Sequence, residues 1–270
     1  MENFTFKEKY DINDLLSIME ILRAPGGCPW DAEQSHESIK KDFIEETYEV
    51  IEAINKKDKV LLEEELGDVL LQVVFHAQIE KEQGSFDFGN VCDGICKKLV
   101  ERHPHVFGEV KVSGTDDVLS NWDEIKRKSK GQKTQGSSML KVPKELPALM
   151  RSQKIQSKAK KAGFDWDDMS GAFEALEKET AELKEAIASG VQTDITEEFG
   201  DMLFSCVNIA RFIDVDSEEA LNLSTEKFIS RFLEVERLAQ ERNIDMKSST
   251  IEELDKLWIQ AKKNLVSNRD

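Results

Sequence analysis

Apolar residues along this chain recur three and four apart rather than alternately, and they do so over long segments. Ile12, Leu15, Leu16, Met19 and Leu22 fall on one stripe, which predicts a helix over 12–23. Ala24 to Pro29 interrupts it with glycine and proline, and Trp30-Asp31 follows. Ser35 or Ser38 opens the next helical segment, which runs to about Asn55. A third segment runs from Lys59 to about Gln83. It turns apolar on most sides at VLLQVVFHAQI, the pattern of a helix at the centre of a bundle. Residues 88 to 102 read as a fourth helix, stopped by Pro104. Residues 108 to 120 read as an irregular connection, and Asn121 to Lys130 as a short helix carrying Trp122. Beyond lie helices expected over Leu149 to Ala162, over two acidic segments, over Ser217 to Arg242 and over Ile251 to Leu265. No alternating strand pattern appears, so the fold class read from the chain is all-α.

The polar positions repeat as well. Glu46 and Glu49 stand i,i+3, as do Glu65 and Asp68, so each pair shares one helix face. Asn55 to Asp58 is short enough to fold the two helices back on each other, so that four acids converge across a seam. Such crowding repels unless a cation sits among the acids, and hard oxygen-seeking ions, Mg²⁺ or Mn²⁺, suit the donors. The set recurs as Glu179, Glu182, Glu198 and Asp201, 133 residues on; 46 to 65 and 179 to 198 are both 19. Gly67-Asp68-Val69-Leu70-Leu71 is matched by Gly200-Asp201-Met202-Leu203-Phe204, and the stretch from Gly163 to Asp167 parallels Gly27 to Asp31. Two copies of one bundle follow: residues 1–125, a polar Gly/Ser/Gln-containing linker at 126–138, and residues 139–270.

Composition narrows the possibilities. At 270 residues each half has enough chain for a core. A net charge of −17 argues against nucleic acid as a partner. No apolar run reaches membrane-spanning length, and the N-terminal stretch lacks the basic-then-apolar pattern of a signal peptide. The four cysteines are irregularly spaced and do not form a disulfide framework, so a reducing cytoplasm is the expected setting. Cys92 and Cys96, i,i+4 in an apolar-patterned helix, read as buried thiols rather than zinc ligands with His103 and His105. A di-iron bundle needs two Glu-x-x-His motifs, and only Glu33–His36 is present.

Cations and aromatics recur beside the acids. Lys98 and Arg102, i,i+4, are matched by Lys227 and Arg231, and Trp122 by Trp258. Metal-bound acids, a Lys/Arg pair and an aromatic face are a reasonable inventory for a nucleotide with its phosphates.

The residues GGCPWD (26–31), EETYE (45–49), EEELGD (63–68), RHPHVFG (102–108), VPKELPALMRSQKIQSKAKKAGFDWD (142–167), ETAEL (179–183), EEFGD (197–201) and EKFISRF (226–232), with Trp258, resemble the two-domain MazG nucleoside triphosphate pyrophosphohydrolases over nearly the whole chain. The resemblance implies an all-α fold completed by dimerisation and Mg²⁺-dependent hydrolysis of ribo- and deoxyribonucleoside triphosphates, ATP among them, to monophosphate and pyrophosphate, as housecleaning of the nucleotide pool. It implies that Glu179, Glu182, Glu198 and Asp201 hold Mg²⁺ and that Lys227, Arg231 and Trp258 contact the nucleotide. Glu46, Glu49, Glu65 and Asp68, with Lys98, Arg102 and Trp122, are the counterparts in the first half. One departure stands out: Lys178 occupies the position of Glu45, where it adds a phosphate contact or weakens the second site. The competing reading is a non-catalytic nucleotide-sensing or scaffold module in one or both halves.

Overall fold

The computed structural model describes residues 4–115, 117–118, 121–122, 125 and 134–267. The chain divides into two compact units, Met1–Lys126 and Arg127–Asp270. No strand occurs among the described residues.

The first unit begins with α1 (Ile12–Arg23), opened by an Asp11–Asp14 capping box. The chain then turns sharply through Gly26, whose φ of +88° is left-handed, and Gly27. A Cβ on Gly27 would lie 2.3 Å from the Ile21 carbonyl oxygen, so only glycine fits there. The next helix, α2 (Pro29–Glu33), has its proline at the first turn, where a missing N–H is harmless. Ser35 caps α3 (His36–Lys56), and Ser38 completes the capping box as its third residue, which settles the choice between the two serines. The chain reverses in two residues: Lys57 in the left-handed region at φ 56°, then Asp58 capping α4 (Lys59–Glu82). α5 (Phe88–Arg102) and the one-turn α6 (Pro104–Phe107) follow.

The core sits at the end of the α3–α4 hairpin away from its turn. Met19, Ile39, Val74, Phe75 and Ile79 are buried together, with Leu15, Leu16, Leu71 and Phe88 packed around them. Each such side chain contributes roughly 1.5–3 kcal/mol on burial. Arg23 fastens this end. Its side chain is 6% exposed, and it donates from Nε and Nη2 to both carboxylate oxygens of Glu82, at 2.9 and 2.8 Å, and to the Asp31 and Gln34 carbonyls. The apolar stretch of α4 is thus central, as its pattern indicates.

The second unit repeats the plan. α7 (Gln135–Met139) and α8 (Ala148–Lys161) pack together. The turn after α8 passes through Gly163, φ +85°, in the part Gly26 plays after α1. Asp168 caps α9 (Met169–Ser189). Gly190, φ +74°, and Val191 make a two-residue reversal like Lys57-Asp58, and α10 (Gln192–Phe212) returns along α9. α11 (Ser217–Glu241) and α12 (Ile251–Ser267) form a second pair around Val235, Leu238, Ala239, Leu257 and Ala261.

Three expectations change. Thr115, Asp117 and Val118 are helical, so the irregular connection ends earlier than 120; Ser113 donates to Asp117 from its backbone N–H and its hydroxyl. Thr134 already caps a helix within the polar stretch read as linker, and Ser138 is buried there, while 126–133 lie outside the described residues. Cys92 is half-buried and Cys96 exposed, so they are not core thiols: the apolar positions of α5 face outward, Val91, Ile95, Leu99 and Val100 among them.

Candidate metal centres

Each hairpin brings its acids together on facing helices. In the first, Glu46 and Glu49 come from α3 and Glu65 from α4, each offering a carboxylate oxygen within 4.8 Å of the others. Glu65 is 8% exposed, and Glu46 and Glu49 are half-buried. Asp68 falls outside that radius, yet its charge raises the pKa values of Glu46 and Glu65. Burial, then Asp68 and a shared hydrogen bond with Glu49, push Glu46 up to about 7; burial first and Glu49 next raise Glu65. Burial and the neighbouring carboxylates thus both disfavour the charged forms of Glu46 and Glu65.

The second hairpin gathers Glu179, Glu182 and Glu198 within the same 4.8 Å, all half-buried, with Asp201 exposed beside them. Burial and neighbouring carboxylates raise Glu179 and Glu198. Glu182 moves the other way, because Lys178 hydrogen-bonds to it. Lys178 Nζ lies 2.8 Å from Glu182 Oε1 and 3.9 Å from Glu179 Oε1.

The cations and aromatics also come together in space. The Arg102 guanidinium lies over the Trp122 ring at 5.1 Å, and Arg231 over Trp258 at 5.8 Å, where Lys262 approaches too. Phe228 packs on Trp258 with ring centroids 5.3 Å apart. Lys98 and Lys227 are exposed, one turn before their arginines. The Arg231–Trp258 pair sits on α11 and α12 and the carboxylates on α9 and α10, so these two groups belong to different helix pairs.

Two groupings escaped the sequence reading. Arg23 with Glu82 joins positions 59 residues apart, and His36, His76 and Glu80 join positions about 40 apart. His36 Nδ1 lies 2.7 Å from His76 Nδ1, and its Nε2 lies 2.7 Å from Glu80 Oε1. The i,i+4 spacing of His76 and Glu80 on α4 was the available signal.

Comparison with known proteins bears on this arrangement directly. The profile of the MazG nucleotide pyrophosphohydrolase domain matches twice, at residues 34–107 and 170–235, once around each carboxylate hairpin. The chain belongs to the MazG family. It is 46% identical over 249 residues to the nucleoside triphosphate pyrophosphohydrolase/pyrophosphatase MazG of Thermotoga maritima, covering 92% of this chain and 94% of that one. It is 42% identical over 257 residues to the nucleoside triphosphate pyrophosphohydrolase of Escherichia coli, covering 93% and 97%. An uncharacterized Bacillus subtilis protein, YabN, shares 45% identity over 255 residues, 94% of this chain but 52% of its own length. Both MazG matches contain an acidic hairpin, so the duplication read from spacing is a duplication of the family's domain.

Proposed function

We propose that this MazG-family chain hydrolyses nucleoside triphosphates, ribo- and deoxyribo-, to the monophosphate and pyrophosphate, with Mg²⁺ as its metal and Mn²⁺ able to replace it. The observation that carries the reading is the pair of acidic hairpins, each converging three carboxylate oxygens within 4.8 Å. The donor set fits the ion: it is all carboxylate oxygen, partly buried, and crowded enough to hold a proton at Glu46 until about pH 7. Glu46, Glu49, Glu65 and Asp68 would hold it in the first hairpin, and Glu179, Glu182, Glu198 and Asp201 in the second. When bound, the ion supplies positive charge to the phosphate oxygens and acidifies water.

The chain's own groups do the rest. Lys227 and Arg231, and Lys98 and Arg102, contact phosphate oxygens, while Trp258 and Trp122 offer a face to the base. An arginine of each set already lies over its ring, at 5.1 and 5.8 Å, which supports a shared role. A carboxylate of the set accepts the proton of the water that attacks the α-phosphorus, and pyrophosphate leaves. Stacking on a ring reads no base edge, which suits a broad substrate range. Both hairpins take part in metal binding, and at least the C-terminal one is catalytic. The role is housecleaning of the nucleotide pool in the cytoplasm, by a homodimer of chains with two tandem helical domains.

The test follows products from ATP, dTTP and dUTP with and without Mg²⁺, for the wild type, Glu49→Ala and Glu182→Ala. Monophosphate and pyrophosphate are expected, with Glu182→Ala losing at least about 100-fold in turnover, the scale of a removed charge-stabilising group. Unchanged turnover in Glu182→Ala would remove the C-terminal hairpin from the reaction. Metal-dependent nucleotide binding with no turnover in the wild type would turn the reading into that of a sensor.

A further inference from the structure

The two hairpins share turn length and four acids at matching positions, but not their fifth charged position. In α3 the residue before Glu46 is Glu45, a fifth carboxylate beside Glu46, Glu49, Glu65 and Asp68, and among the described residues no lysine is ion-paired with any of these five. In α9 that position is Lys178. Its Nζ is 2.8 Å from Glu182 Oε1 and 3.9 Å from Glu179 Oε1, and the charge of Glu198 also acts on it. These three acids are the ones whose oxygens fall within 4.8 Å of one another. A protein-borne cation thus already engages the cluster that would receive metal. It screens the like-charge repulsion that draws an ion in, and it uses an oxygen of Glu182.

We propose that Lys178 takes the place of one divalent cation in the C-terminal hairpin, so that this site binds one ion fewer than the N-terminal site. Lys178 is then a positioning residue: it holds one oxygen of Glu182 and leaves the remaining ion to Glu179, Glu198, Asp201 and the other oxygen of Glu182. The inference rests on the reading that both hairpins bind divalent cations. Its consequence is a built-in inequality between two otherwise duplicated sites, with a fixed ammonium meeting the phosphate chain in one and a second exchangeable ion in the other.

The experiment counts Mn²⁺ bound to the intact chain at saturation, by equilibrium dialysis with electron paramagnetic resonance of the free ion, in the absence of nucleotide. Lys178→Glu is expected to gain one ion per chain. Lys178→Arg, which keeps the cation, is expected to stay at the wild-type number, and the reciprocal Glu45→Lys to lose one. Lys178 has a side chain 66% exposed, so these changes leave the helix intact, which circular dichroism checks. Mn²⁺ bound by the wild type with an unchanged count in Lys178→Glu overturns the inference and spares the metal reading of both hairpins. No Mn²⁺ bound by the wild type overturns both.

Discussion

Single neighbours set the behaviour of otherwise equivalent groups in this chain. Glu49 and Glu182 occupy the same place in the two hairpins, yet Glu182 is held below the usual carboxylate range by an ammonium 2.8 Å away. The histidine pair shows the same sensitivity at the other end of α3 and α4. A 2.7 Å separation between His36 Nδ1 and His76 Nδ1 accommodates one proton and not two. Burial, then the charge of His36, lowers His76 from 6.5; the hydrogen bond from His36 lowers Glu80 from 4.5. Both folded values lie below the unfolded ones, so the folded chain binds fewer protons in this range. The resulting stability is present above each unfolded value and is lost as pH falls through the folded one. Glu46, whose folded value is raised to about 7, acts in the opposite sense over the same interval, so the histidine pair is read by difference. On acidification from pH 7 toward pH 5 the thermal midpoint of the metal-free wild type is expected to fall relative to that of His76→Gln, measured by calorimetry. An equal change in both would show that the pair does not govern acid sensitivity.

Helices were the most legible level of this molecule, because their signals are local. The stripe from Ile12 to Leu22 predicts the bounds of α1, and Asp58 and Asp168 cap helices that the apolar pattern alone would have left open by a residue or two. The acids were legible for the same reason: i,i+3 spacing fixes a face, and a two-residue reversal fixes which faces meet. What escaped was long-range or context-bound. Arg23 and Glu82 have no shared pattern, and the outward face of α5 reads from sequence like a buried one. Proline misleads in a related way, since Pro29 and Pro104 each begin a short helix. Glycine in the GGCPWD motif gives a direct test. A methyl group on Gly27 meets the Ile21 and Leu22 carbonyl oxygens at 2.3 and 2.4 Å, backbone atoms that cannot swing aside. Gly27→Ala is expected to destabilise by more than about 1 kcal/mol in chemical denaturation. A change below a few tenths of a kcal/mol would show that the α1–α2 turn relaxes freely.

At the scale of the whole chain, the surface is larger than two compact globules would need, and many large apolar side chains lie on it. Two separate globules sharing its 30.8 kDa would expose about 14,000 Å² by the usual scaling, against 19652 Å² for this chain. The excess is patterned. Ile44, Tyr48 and Ile51 stand i,i+4 and i,i+7 on α3 beside the clustered glutamates, Phe199 follows Glu198 on α10, and Ile229 and Leu233 stand i,i+4 on α11. Such faces suit helices of the same kind, which supports the homodimer proposed above. Leu233, 60% exposed, discriminates. On a free surface Leu233→Asp changes stability by no more than about 0.5 kcal/mol. In an interface it buries a charge, and a penalty of only 1.4 kcal/mol already weakens dimerisation about tenfold. Sedimentation equilibrium is expected to give twice the 30.8 kDa chain mass for the wild type and a shift toward a single chain for Leu233→Asp at the same concentration. A wild type that sediments as one chain at micromolar concentration would leave these faces to another partner, and with them the carboxylate hairpins they border.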